Sequence, residues 1–152
     1  MRRALRVEPA GHWPRDSASG TITLDHESRH RRRLQLATDA GEFFLLDLPR
    51  AVVMGNGDGL GLDDGSWIEV RAKAEALLEV TASPAVLCKL AWHIGNRHIP
   101  AAIEPHRILI RDDHVLAEML TAQGAMLRRV SEPFMPEAGA YDTHNHEHRH
   151  EH

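Results

Sequence analysis

The sequence has little cysteine and no long apolar run. A single cysteine, Cys88, in 152 residues rules out an intramolecular disulfide framework. No apolar stretch approaches the ~18–20 residues that a helix needs to cross a bilayer, and the basic start, residues 1–9, lacks the apolar core of a signal peptide. These absences predict a cytoplasmic protein that does not enter a membrane. The formal net charge of −4 also gives no reason to expect a nucleic-acid partner.

The composition is that of a folded chain with one unusual residue type. Hydrophobic residues make up 42% and charged residues 26%, which is normal for a globular protein and excludes disorder throughout. A chain of this length forms one ordinary domain or two small ones. The unusual residue is histidine, because there are 12 in all and five of them fall in the last nine residues.

The first half of the chain has the pattern of β-strands. Ile22 and Leu24 alternate with threonines, and Phe44, Leu46 and Leu48 repeat the same period of two. Residues that favour turns separate these segments, at 39–41, at Pro49, through 55–59 and at Asp64-Gly65. Since no segment before residue 80 shows a helical apolar stripe, we predict a small β domain over residues 1–73.

The second half alternates strands with helices. Ser83 as N-cap and Pro84 at the first helical position predict a helix, with apolar residues on one face from 87 to 94. We expect Asp112 to cap a second helix, whose buried stripe is Val115, Leu116, Met119 and Leu120. Strands are expected at 76–81, 99–104, 106–111 and 126–131. The order β-α-β-β-α-β predicts a ferredoxin-like domain over 74–135, and therefore an α+β protein.

The C-terminus is a histidine-rich tail, residues 136–152. Its five alternating histidines are His144, His146, His148, His150 and His152. Because the tail has no apolar surface to bury, we predict that it is disordered without a ligand. Imidazole binds Ni²⁺, Zn²⁺ and Cu²⁺, so the tail is predicted to bind metal. The alternatives are a solubility tail or an affinity tag, although a tag normally has uninterrupted histidines.

Two further histidines flank the expected end of the first helix. His93 and His98 are five positions apart, on either side of Gly95-Asn96. On a continuous helix they would lie about 140° apart, so they can share a site only if the helix ends between them. Taken alone, His93 on an apolar helix face is more often a packing residue, and His98 is better explained as a residue that caps the end of the helix.

The segment at 90–100, LAWHIGNRHIP, closely resembles the signature of the urease accessory protein UreE family of nickel metallochaperones. The resemblance continues in order through DLPR at 47–50, GDGLGLDDG at 57–65, ALLEV at 76–80, DHVLAEML at 113–120 and PFMPEAGAY at 133–141. It covers about residues 20–152, and the pairing of GNRH with DHVL…ML is specific. A histidine-rich C-terminus is also typical of this family.

The resemblance implies a homodimer of two-domain subunits, in which a β-rich, peptide-binding-like domain precedes a ferredoxin-like metal-binding domain. It implies that His98 of each subunit binds Ni²⁺ at the dimer interface and that the tail histidines add further ligands. Some family members have a histidine where Asp112 stands here, so this chain departs from the pattern of a peripheral site around His114. The implied function is delivery of Ni²⁺ to apo-urease, with the accessory GTPase UreG as a partner.

Other classes of function have less support. A metal buffer or storage protein, which would use the tail without specific delivery, is the alternative to a chaperone. We expect no enzymatic activity, because the chain has neither an HExxH nor a GxSxG motif. Cys88 is expected to be a small core residue. The arginine-rich segment 29–33 is interpreted as a solvated loop or strand edge rather than a nucleic-acid site.

Overall fold

The computed structural model describes residues 1–138, and the chain divides between Glu75 and Ala76 into two compact units. The first unit is built around a β-sheet, and the second combines strands with helices. The predicted α+β class is therefore confirmed. The predicted disorder of the tail concerns mainly residues that lie outside the described part. Within residues 1–138, no helix is long and apolar enough to span a membrane.

The first unit contains a six-stranded mixed sheet. Its strands are β1 (Arg3–Glu8), β2 (Ala18–Leu24), β3 (His30–Ala37), β4 (Phe43–Val53), β5 (Gly59–Leu62) and β6 (Trp67–Ala72), with a short helix α1 (His26–Arg29) before β3. The order across the sheet is β2-β6-β5-β1-β4-β3. The pairs β1–β4 and β2–β6 are parallel, and the other neighbours are antiparallel.

The inward face of this sheet follows the predicted alternation. Phe44, Leu46 and Leu48 are buried together with Ile22, and they form one apolar cluster with residues of the neighbouring strands. Strand β1 was not predicted. Its only fully buried side chain is the small Ala4, and a strand with so little apolar side chain on its inner face leaves a weak period of two in the sequence.

Pro49 does not end a strand, contrary to the prediction. Strand β4 continues through Pro49 to Val53, but its register with β3 shifts there. Arg33 pairs with Asp47 and Arg31 pairs with Val52, so four residues of β4, 48–51, face a single residue of β3. A proline cannot donate a hydrogen bond to the ladder, and such a bulge accommodates it without ending the strand.

Glycines on β5 make room for an aromatic pair on the outer face. A Cβ atom on Gly59 would clash with the Trp13 ring, so only glycine permits this contact. Trp13 stacks on Trp67 with their ring centroids 5.7 Å apart, and its indole N–H donates to the Gly57 carbonyl. The predicted tight hairpin at Asp64-Gly65 joins β5 to β6, and Gly65 has the positive φ of 84° that this turn needs.

The second unit has the predicted ferredoxin-like order of elements. Its elements are β7 (Ala74–Thr81), whose first two residues precede the division between the units, α2 (Pro84–Asn96), β8 (Ala102–Ile103), β9 (Ile108–Arg111), α3 (His114–Ala122) and β10 (Met126–Pro133). The strands are arranged β10-β7-β9-β8, so the first and third strands of the unit are central. Both helices pack against one face of this sheet, where Leu87, Leu90 and Ile94 of α2 meet Leu116 and Leu120 of α3.

The start of α3 differs from the prediction in two respects. Asp113, not Asp112, is the N-cap, and its carboxylate accepts a hydrogen bond from the Leu116 N–H at 2.9 Å. Asp112 instead lies 3.6 Å from the guanidinium of Arg129. Leu116 and Leu120 face the core, whereas Val115, in the first turn of the helix, is 66% exposed, so its predicted place in the buried stripe is wrong.

The sheet face away from the helices carries a network of ion pairs. Arg107 donates to Glu79, Glu104 and Glu132 over 2.7–3.1 Å, and Arg128 also donates to Glu79. Hydrogen bonds from Arg107 and then Arg128 hold the pKa of Glu79 below its usual value. This network ties the edge strand β10 to the central strand β7 and to the residue preceding β9.

Candidate metal centre

The C-terminal end of α2 positions His98 through two backbone hydrogen bonds. The His98 N–H donates to the Gly95 carbonyl at 3.0 Å, and the Ile99 N–H donates to the Ile94 carbonyl at 3.4 Å. With Arg97 as the C-cap, this is the bonding pattern of a Schellman motif. Ile99 also packs against the core cluster that contains Ile94, which is the apolar contact that accompanies this motif. The backbone of His98 is therefore held on both sides.

His98 has a left-handed backbone, with a φ of 58°. It is the only non-glycine residue with a positive φ among residues 1–138. Glycine usually occupies this position of the motif, because a side chain in the left-handed region costs roughly 1–2 kcal/mol. An imidazole is thus kept where glycine would be more stable, and such local strain in a protein often marks a functional position.

The side chain of His98 is exposed to solvent. Residues 1–138 contain no group of three or more His, Cys, Asp or Glu side chains placed to hold a metal ion. A closed structural site would need about four protein ligands. Any metal bound at His98 must therefore take its remaining ligands from water, from another molecule or from residues beyond the described part.

His93 is separated from His98 by the end of the helix. Helix α2 ends at Asn96, so the predicted stop at Gly95-Asn96 is confirmed. His93 is half-buried, and its ring contacts the ring of Trp92 edge-on, with the centroids 5.2 Å apart. This contact gives His93 a packing partner on its own helix.

The outer face of α2 carries two residues that sequence reasoning did not place there. Cys88 is exposed, so the prediction of a core cysteine is wrong. Trp92, one turn further along, is 65% exposed, although tryptophan is a large apolar side chain. Both lie outside the apolar stripe that begins at Leu87. Their positions relative to this stripe could have indicated that they are exposed.

His114 pairs with a carboxylate at the start of α3. Its Nε2 lies 3.1 Å from Glu118, one turn along the helix, and both side chains are largely exposed. Asp113 is engaged as the helix cap. In the described part of the chain no third ligand joins His114 and Glu118. The five tail histidines (His144, His146, His148, His150 and His152) lie outside the described residues.

Both units match domains of one protein family. The family model described as UreE urease accessory protein, N-terminal domain, matches residues 3–73, and the corresponding C-terminal domain model matches residues 75–152. The chain belongs to the UreE family. The resemblance found in the sequence motifs is thereby confirmed. The C-terminal UreE model includes His98 and all five histidines of the tail.

Named relatives support the same assignment over most of the chain. The urease accessory protein UreE of Chelativorans sp. (strain BNC1) is 53% identical, over 87% of this chain and 84% of its own length. That of Rhodobacter capsulatus is 50% identical over 93% and 87%, respectively. That of Agrobacterium fabrum is 48% identical over 95% and 89%. These UreE relatives are named as accessory proteins of urease.

Proposed function

We propose that this chain is a nickel metallochaperone that delivers Ni²⁺ for assembly of the urease active site. The observation that carries the proposal is the exposed, left-handed His98 of a UreE family member. A carrier must release its ion, so its site should be incomplete and its ligands exchangeable. A single exposed imidazole on a fixed backbone, with no cluster of further ligands among residues 1–138, fits this requirement.

The proposed carrier is a homodimer in which the two His98 imidazoles share one Ni²⁺. The motif that ends α2 fixes the backbone of each histidine, so both rings reach the ion with little loss of conformational freedom. The exposed Trp92 on the same helix supports an interface nearby, because tryptophan is enriched where protein surfaces meet. Two imidazoles leave most of the coordination sphere of nickel to water and to other ligands.

The tail histidines are the proposed capture and relay ligands. His144, His146, His148, His150 and His152 give a series of imidazoles that can exchange an ion one ligand at a time. The same chemistry admits Zn²⁺ and Cu²⁺, since imidazole binds these ions as well. In this proposal the tail raises capacity, whereas His98 sets up the transfer.

The proposed acceptors are the accessory GTPase UreG and the apo-urease assembly complex, all in the cytoplasm. The role requires binding and handover and no catalysed reaction. The family supports it, because the named relatives are urease accessory proteins.

Nickel binding by a set of variants tests the proposal. Equilibrium Ni²⁺ binding and mass by light scattering are measured for the full chain and for a truncation after Thr143, each as the wild type, His98→Ala and the matched control His114→Ala. We expect truncation to remove part of the capacity and to leave one site per dimer, which His98→Ala abolishes in the truncated protein. His114→Ala should leave that site intact. Loss of all binding on truncation, with no effect of His98→Ala, would refute the interface site.

A metal buffer is the alternative function, and handover distinguishes it from a chaperone. Nickel-loaded protein is mixed with UreG, and the transfer rate is compared with the rate of release to a chelator. A chaperone should transfer Ni²⁺ faster than the ion dissociates, and His98→Ala should reduce delivery more than capacity. Transfer no faster than dissociation would favour the buffer.

A further inference from the structure

The chain that follows β10 crosses one face of the second unit as a strap, residues 134–137. Strand β10 lies at one edge of the sheet and β8 at the other. The backbone N–H of Glu137 donates to the Ala101 carbonyl at 2.8 Å, immediately before β8. Three spacings between neighbouring strands amount to about 14 Å, and four extended residues cover about the same distance. The strap therefore connects the two edges of the sheet.

Phe134 fixes the strap on this face. Its side chain is fully buried in a cluster with Leu77, Ala102 and Leu109, which come from β7, β8 and β9. The guanidinium of Arg111 lies 4.9 Å from the centroid of the Phe134 ring, so a cation–π contact adds to the packing. The helices α2 and α3 pack in a different cluster. The buried ring therefore holds the strap to the sheet.

The anchored end of the strap is close in the chain to His98. Ala101, which accepts the hydrogen bond from Glu137, is three residues after His98, and three residues span at most about 11 Å. The first tail histidine, His144, is seven residues beyond Glu137, and seven residues span at most about 25 Å. The reach of the chain from Glu137 to His144 therefore exceeds the gap to His98.

We propose that the strap anchors the histidine-rich tail beside the nickel site, and that Phe134 is the positioning residue that holds it there. The inference rests on the proposed binding of Ni²⁺ at His98. A tail histidine that is tethered close to the ion has a high effective concentration at the site. Without the anchor the tail would begin at Pro133, on the opposite edge of the sheet and about 14 Å across it from β8.

Release of the strap should lower the effective concentration of His144 at the site about tenfold. The tether lengthens from seven to eleven residues, but the distance that it must bridge grows by up to about 14 Å. A short tether responds more strongly to such an increase than a long one. The loss should therefore be smaller for His152, which is fifteen residues beyond Glu137.

Nickel binding by full-length chains with a single tail histidine tests the proposal. One chain keeps His144, another keeps His152 and a third keeps neither, with asparagine in place of the other tail histidines. Each is made with wild-type Phe134, Phe134→Ala, the conservative Phe134→Leu and the matched control Met135→Ala. Met135 is the next residue of the strap, and it is 41% exposed. Titration with Ni²⁺ gives the ratio of the affinities with and without the tail histidine, and circular dichroism checks the fold.

A second change separates the tail from its anchor without altering Phe134. A flexible insert of about 30 glycine and serine residues after Ala138 lengthens the tether from Glu137 to His144 about fivefold. It lies beyond the strap, so it leaves the packing of the sheet untouched. The insert should reduce the affinity ratio several-fold. It provides the test if Phe134→Ala does not fold.

We expect His144 to raise the Ni²⁺ affinity at least tenfold in the wild type, and Phe134→Ala to reduce that gain about tenfold. Phe134→Leu should reduce it less and Met135→Ala less than twofold, while the chain without tail histidines keeps its affinity in every variant. A gain from His144 that survives both Phe134→Ala and the insert would overturn the anchor alone, as would the absence of any gain. If His98→Ala leaves the affinity of the chain without tail histidines unchanged, the nickel site itself is wrong, and the anchor with it.

Discussion

Replacing His98 with glycine should make the second unit more stable while removing the proposed nickel ligand. The backbone of His98 has a φ of 58°, and relief of this strain is worth roughly 1–2 kcal/mol. Glycine also gains freedom in the unfolded chain, which offsets about 0.5–1 kcal/mol. The free energy of unfolding should therefore rise by about 0.5–1 kcal/mol. For a domain of this size that raises Tm by about 2–8 °C.

Substitutions at the same position separate strain from loss of the ring. His98→Asn removes the imidazole but tolerates the left-handed region, so its stability should stay close to that of the wild type. His98→Val places a β-branched residue there and should destabilise the unit by about 1–2 kcal/mol or more. Urea unfolding of the metal-free proteins measures the series, and all three variants should lose the nickel site that is left after tail truncation. A glycine variant no more stable than the valine variant would refute the reasoning.

Two further predictions concern the second unit. Asp113→Ala removes the cap of α3 and should lower the free energy of unfolding by about 1 kcal/mol. Asp112→Ala should change it by less than about 0.5 kcal/mol. Thermal unfolding compares the two variants, and equal effects would contradict the assignment of Asp113 as the cap. Glu79 has its pKa lowered by hydrogen bonds from Arg107 and Arg128, so its contribution is present above its unfolded pKa of about 4.3 and is lost as pH falls through its folded pKa. Glu79→Gln should therefore cost about 1–3 kcal/mol at pH 7, and this cost should shrink as the pH falls below the unfolded pKa. Urea unfolding over a series of pH values measures it, and a cost independent of pH would contradict the ion-pair assignment.

Much of the fold could be predicted because local chemistry decides it. The N-cap Ser83 with Pro84, the stripe of Leu87, Leu90 and Ile94, and the hairpin at Asp64-Gly65 each depend on neighbours in the sequence. The errors arose where distant residues decide. Pro49 signals a break, but a bulge opposite β3 accommodates it, and only the pairing of the strands creates that bulge.

The candidate site was predictable in part for the same reason. The helix end near His98 depends on local residues and was predicted from them, whereas His98 itself was singled out by the resemblance of its segment to the family motif. It did not reveal the positive φ, because no rule of composition places a histidine where glycine is preferred. The exposure of Cys88 and Trp92 depends on which face of α2 meets the sheet.

The sequence by itself determined the family, the order of strands and helices in the second unit, and the histidines that are candidates for metal binding, since these depend on residue identity and short-range spacing. Only the tertiary structure decided the left-handed geometry of His98, because the packing of Ile99 against the core fixes the chain reversal after α2.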